Sequence, residues 1–111
     1  MEKKDLNRLI HMLDAAKAIL QHIANKKAVD LEHDRLLLGG VVRELLLIGE
    51  AANAVSPQAK AAMPNIPWKE IIGMRNQLIH SYFDISYKIV WSTVTVDVPK
   101  LILELQKAIK P

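Results

Sequence analysis

The first 56 residues contain no proline, and their apolar side chains recur every three or four positions. That combination permits little except helix. Leu6, Leu9, Ile10, Leu13, Ala16, Ile19, Leu20 and Ile23 form one stripe, which predicts a helix from about Lys3 to Asn25. Lys26 and Lys27 suit its C-terminal end, where the helix dipole favours positive charge. Asp30 reads as the N-cap of a second helix from about Leu31 to Ala54. Its core side would carry Leu38, Val41, Val42, Leu45, Leu46, Ile48 and Ala52. Gly39-Gly40 weakens this helix and predicts either a kink or the close approach of another helix.

Prolines then cluster in "SPQAKAAMPNIPW", a turn-rich link. Ser56 followed by Pro57 has the form of an N-cap and first helical residue, so one short helix is expected there. A third long helix starts near Trp68. A fourth runs from about Ser86 to Ala108, with Val90, Trp91, Val94, Val98, Leu101, Ile102 and Leu105 on its apolar side. Pro99 falls inside that pattern and predicts a kink or a division into two helices. The β-branched run "IVWSTVTVDV" has strand propensity, but a lone strand would have no partner elsewhere in the chain. The expected architecture is an all-α antiparallel bundle in a single domain spanning residues 1–111.

Composition narrows the function classes. Half of the 111 residues are hydrophobic and 24% are charged, which is the profile of a folded globular chain. There is no cysteine, hence no disulfide and no thiolate metal site, and this fits a reducing, cytoplasmic setting. No apolar run is long enough for a secretory signal or a membrane span. His11 and His22 are three helical turns apart and His33 has no histidine four residues away, so they do not make a metal pair. The net charge of +3 allows a nucleic-acid partner without demanding one.

The chemistry concentrates in "GMRNQLIHSYFD", Gly73 to Asp84. On a helical wheel Trp68, Ile71, Ile72 and Ile79 share an apolar arc, and Arg75 lies about 20° from its centre. Asn76 and His80 are four residues apart and neighbour one another on a shoulder. If the helix continues, Tyr82 falls two turns beyond Arg75 on the same arc. A charge in a buried arc requires a partner or a cleft. Glu44 and Glu50, both set among apolar residues of the second helix, are candidate partners for Arg75. In one reading Arg75 is a structural ion-pair member and His80 an edge residue. In the other, the arginine fork matches a phosphate and the histidine transfers protons near neutral pH. Those two groups suit phosphodiester cleavage in RNA without a metal or other cofactor. One histidine per chain leaves either the acid or the base unsupplied, and a two-fold dimer would supply the second.

"RNQLIHSY", Arg75 to Tyr82, carries the R-x4-H-x-Y pattern and resembles HepT-like toxins, which belong to the HEPN domains. "LLIGEAANAV", "MPNIPWKEIIGMRN" and "VWSTVTVDVPKL" are similar to the same family in the same order. The resemblance implies a homodimeric HEPN bundle of four to five helices whose two motif helices line a shared cleft. It implies a toxin acting as a metal-independent endoribonuclease that leaves a 2′,3′-cyclic phosphate, with Arg75 and His80 catalytic and Asn76 supporting. It further implies an MNT-type nucleotidyltransferase antitoxin that attaches AMP to Tyr82. Two other uses of the same chain remain open at this level: a non-catalytic HEPN module that docks a nucleotidyltransferase or binds nucleotide, and a plain oligomerisation bundle. Ser81 replaces the acidic residue expected beside the motif histidine.

Overall fold

The computed structural model describes residues 1–81 and 84–110, and all regular structure among them is helical. Helix α1 spans Lys3–Ile23, α2 Ala28–His33, α3 Arg35–Ala54, α4 Pro57–Ala62, α5 Trp68–His80 and α6 Tyr87–Ser92. A π-helical segment, Thr93–Asp97, joins α6 to α7, Val98–Ile109. No described helix is long and apolar enough to cross a membrane.

The central packing is α1 against α3, with α5 laid on α3 and α7 on α1. The α1 face that closes the core is Leu9, Met12, Ala15, Ala16, Ile19 and Ile23. This stripe is rotated slightly from the one expected: Met12 is fully enclosed, whereas Ile10 is exposed. Apolar residues lie nearly all round α1, so spacing alone does not fix the centre of its buried face. From α3 come Val41, Val42, Leu45, Ile48 and Ala52, as anticipated, with Leu38 and Leu46 half-buried at the margin. Val90, Val94, Val98, Leu101, Ile102 and Leu105 complete the core, and Trp91 packs at its edge.

The second helix departs from expectation at its start. Asp30 is not its cap: the Asp30 carboxylate accepts from Lys27 N at 2.7 Å and closes the separate one-and-a-half-turn helix α2. Asp34 caps α3 instead, accepting from Leu37 N at 3.0 Å. The extended backbone of Asp34 divides the two helices. Two aspartates stand four residues apart, Asp30 at the third position of α2 and Asp34 at the cap of α3, and only the later one begins the long helix. Gly39-Gly40 does not interrupt α3, which continues straight through both glycines.

Ser56 caps α4 through Ala59 N at 3.1 Å. Its own N–H and hydroxyl donate to the two oxygens of buried Asp5, at 2.8 and 2.6 Å, which ties the start of α1 to the start of α4. Those two hydrogen bonds from Ser56, the hydroxyl's first, hold the Asp5 carboxyl below its usual range.

The β-branched run forms helix and π-helix rather than strand. Thr93 and Thr95 hydroxyls donate to the carbonyls of Ile89 and Trp91, four residues back, at 2.9 and 2.7 Å. Val98 N–H reaches Thr93 O, five residues back, as a π-turn requires. Pro99 sits in the first turn of α7, where its missing N–H is tolerated. The division expected from Pro99 is thus a widened turn just before it, and the axis carries on.

Candidate functional site

Helix α5 crosses α3 with Ile71, Met74 and Leu78 turned inward. The apolar arc predicted from the sequence is therefore shifted: Leu78 is buried, and Ile79 is 48% exposed. Arg75 lies on the inward side, with its side chain only 24% exposed. The reason is a gap in α3. Gly49 is buried, and the Arg75 stem lies directly over it. A Cβ built on Gly49 would fall 2.6 Å from Arg75 Cγ and closer still to Arg75 Cβ. No ordinary side chain fits between the two helices at that point.

The next residue on α3 receives the guanidinium. Arg75 Nε donates to Glu50 Oε1 at 2.7 Å, and Nη2 makes a second, short bond to the same oxygen. Arg75 Nη1 donates to Asn76 Oδ1 at 2.7 Å. A guanidinium has five N–H groups. Glu50 and Asn76 engage three, and among the described residues one on each terminal nitrogen has no partner. Glu50 is 54% exposed, so the pair stands at the surface with its head toward solvent. Glu44 plays no part in it: nearly buried, it pairs with Arg43 Nη1 at 3.2 Å.

His80 is the last residue of α5 and is exposed, with Asn76 one turn before it on the same shoulder. His80 is five positions beyond Arg75, which is about 7.5 Å along the axis and about 140° around it. One α5 therefore presents the two groups in different directions. The helix closes at Ser81, whose N–H bonds Gln77 O at 2.9 Å. The expected continuation through Tyr82 concerns a position outside the described residues.

Two concavities open among the described residues, and the second reaches Glu50. One, of about 410 Å³, lies between α3, α5, the π-segment and α7, and its apolar floor includes Ile48, Ile71, Met74 and Leu101. The other is an open groove between α1 and α3 that runs from Arg8 and His11 to Glu50. Gly49 is the residue that sequence reasoning missed. Its signal was present: a glycine inside an apolar helical stretch, far from any turn, immediately before the acidic residue.

The described residues thus form an all-helical bundle that carries Arg75, Asn76 and His80 along one short helix. A family model described as "HepT-like: Ribonuclease HepT-like" matches residues 12–108. "Putative RNase MJ1380" of Methanocaldococcus jannaschii is 33% identical over 96% of this chain and 98% of its own length. "Putative RNase TTE0752" of Caldanaerobacter subterraneus is 34% identical over 92% of this chain and 88% of its own. "Probable ribonuclease HepT" of Thermococcus cleftensis is 43% identical over a shorter stretch, 55% of this chain and 56% of its own. No solved structure matches. The chain belongs to the HepT-like ribonuclease family.

Proposed function

We propose that the protein is the toxin of a toxin–antitoxin pair, a metal-independent endoribonuclease working at a cleft between two copies of α5. The observation that carries this reading is the mounting of Arg75. Three of its N–H groups are held by Glu50 and Asn76, and the other two, one on each terminal nitrogen, have no partner among the described residues. Such a fork is matched to two oxygens of a phosphodiester.

In the reaction a base removes the proton of a ribose 2′-OH, and that oxygen attacks the adjacent phosphorus. The bond from phosphorus to the 5′-oxygen breaks, and an acid protonates the departing oxygen. The products are a 2′,3′-cyclic phosphate and a 5′-hydroxyl. Arg75 stabilises the charge that builds on the non-bridging oxygens. His80 moves a proton. Because Arg75 and His80 point about 140° apart on one helix, a single α5 does not surround one phosphate. Two helices related by a two-fold axis supply an arginine from one side and a histidine from the other, together with the second histidine that acid–base catalysis needs. Asn76 bridges the two groups along the shoulder.

Tyr82, two residues after His80, is the site at which an MNT-type nucleotidyltransferase antitoxin attaches AMP. A phosphate-bearing group there competes with RNA for Arg75. Incubation of the purified protein with cellular RNA in EDTA tests the reading. Cleavage by the wild type and its loss in His80→Ala are expected. Equal cleavage by the two proteins, or none by the wild type, overturns it. A second reading, a non-catalytic module that docks the nucleotidyltransferase or binds nucleotide, draws on the occupation of Arg75 by Glu50 within one chain. It predicts partner or nucleotide binding with no RNA cut and no toxicity for Arg75→Ala or His80→Ala to relieve.

A further inference from the structure

We infer that Gly49 is a positioning residue for Arg75: the absence of a side chain at this point of α3 is what aims the guanidinium outward onto Glu50. The inference rests on the reading of Arg75 as the phosphate-binding group.

The four glycines separate cleanly by what a Cβ would meet. At Gly39 and Gly73 a Cβ meets nothing within 4 Å, and at Gly40 it makes ordinary contact with His22 Nε2 at 3.9 Å. Only at Gly49 does it collide, and the three nearest atoms all belong to Arg75. The nearest atom is Arg75 Cβ, which the α5 backbone fixes in place, with Cγ next at 2.6 Å, so no change of rotamer at Arg75 relieves the conflict. A methyl group at residue 49 therefore has one outlet: α5 shifts away from α3 at this crossing. That shift carries the guanidinium away from Glu50, because Glu50 is the neighbour of Gly49 and is fixed on the same turn of α3. Glycine in mid-helix costs stability relative to alanine, and α3 bears that cost at a buried position. Gly49 and Glu50 act in sequence: the first admits the stem, the second catches the fork. A displacement of about 1 Å in a group that must meet a phosphate lowers the rate substantially, on the order of 100-fold.

Gly49→Ala tests this, with Gly39→Ala as the matched control on the same helix. In ¹⁵N-labelled wild type, the Nε–H of Arg75, hydrogen-bonded to Glu50, gives a protected side-chain resonance, assigned by its loss in Arg75→Lys. In Gly49→Ala that resonance shifts or vanishes, and in Gly39→Ala it stays. In RNA cleavage Gly49→Ala loses about 10- to 100-fold in kcat with the protein still folded, while Gly39→Ala keeps wild-type kcat. If the Arg75 resonance is unmoved in folded Gly49→Ala, the inference is overturned, whether or not the wild type cleaves RNA. If the wild type does not cleave RNA but the resonance moves, the ribonuclease reading fails and the seating of Arg75 stands. Should Gly49→Ala not fold, Arg75→Gly is added to remove the colliding stem. Recovery of folding in the double variant supports the inference, and failure to recover overturns it.

Discussion

Replacing Arg75 by alanine separates a brace from a working group, because the two roles predict different losses. The ion pair with Glu50 is solvent-facing, with Glu50 54% exposed. Pairs of that kind contribute about 0.2–1 kcal/mol. The stem contributes more: alanine keeps Cβ but removes the methylenes Cγ and Cδ, worth about 0.8 kcal/mol each. Arg75→Ala should therefore cost about 2 kcal/mol. For a chain of this length the unfolding entropy is about 0.23 kcal/mol per kelvin, so the melting temperature falls by roughly 9 °C. In a double-mutant cycle with Glu50→Ala, the coupling between the two side chains should be no more than about 1 kcal/mol, or about 4 °C. RNA cleavage responds on another scale: loss of one donor to a developing oxyanion costs on the order of 100- to 1000-fold. Urea melts of the four proteins give the stability terms, and initial rates on a short RNA give the other. A coupling above about 2 kcal/mol, with cleavage unchanged in Arg75→Ala, would refute the reasoning and make the pair a structural brace.

Other outcomes follow from the fold. Asp34→Ala should lower stability by about 1 kcal/mol in denaturant melts, because the long helix α3 loses its cap. Leu105→Ala, at a fully enclosed position, should cost about 2–5 kcal/mol in the same measurement. Asp5 gives a pH signature. Its carboxyl titrates below the ordinary value of 3.8, so its contribution is complete above that pH and is lost as pH falls through the lower, folded value. The stability gap between wild type and Asp5→Asn, followed by circular dichroism, should therefore be constant from neutral pH to about 4 and narrow below it.

Much of this fold is written in spacing. The pattern Val90, Val94, Val98, Leu101, Leu105 marks a buried helical edge, and those side chains are buried. Spacing is weakest where apolar residues surround a helix, as in α1, or where a polar stem can pack as well as an apolar one. Periodicity put both Arg75 and Ile79 on the inward arc of α5; Arg75 lies there because its methylenes rest on Gly49 and only its head needs solvent, while Ile79 is exposed. The pairing of Arg75 with Glu50 rather than Glu44 depends on which side of α3 meets α5, a tertiary fact. Glu44 is taken by its own neighbour Arg43. The break at Asp34 was hidden by a second good capping residue four positions earlier. Gly49 was hidden by a more conspicuous pair: Gly39-Gly40 drew the expectation of a close approach that belongs to the lone glycine ten residues on.

The widened turn at Thr93–Asp97 has a consequence for how this chain tolerates change in length. A π-turn holds one residue more than the α-turn it replaces, so the segment works as a phase adjuster between two stretches of one rod. Upstream, Val90 and Val94 face the core; downstream, Val98, Leu101 and Leu105 do. Removing a single residue from 93–97 would let the turn return to ordinary α-winding while the residues beyond it keep their facing. Leu101 and Leu105 would then stay on the core side. Elsewhere in a helix a one-residue deletion turns everything beyond it by about 100°; here the widened turn can absorb the loss and leave the last helix seated on the bundle.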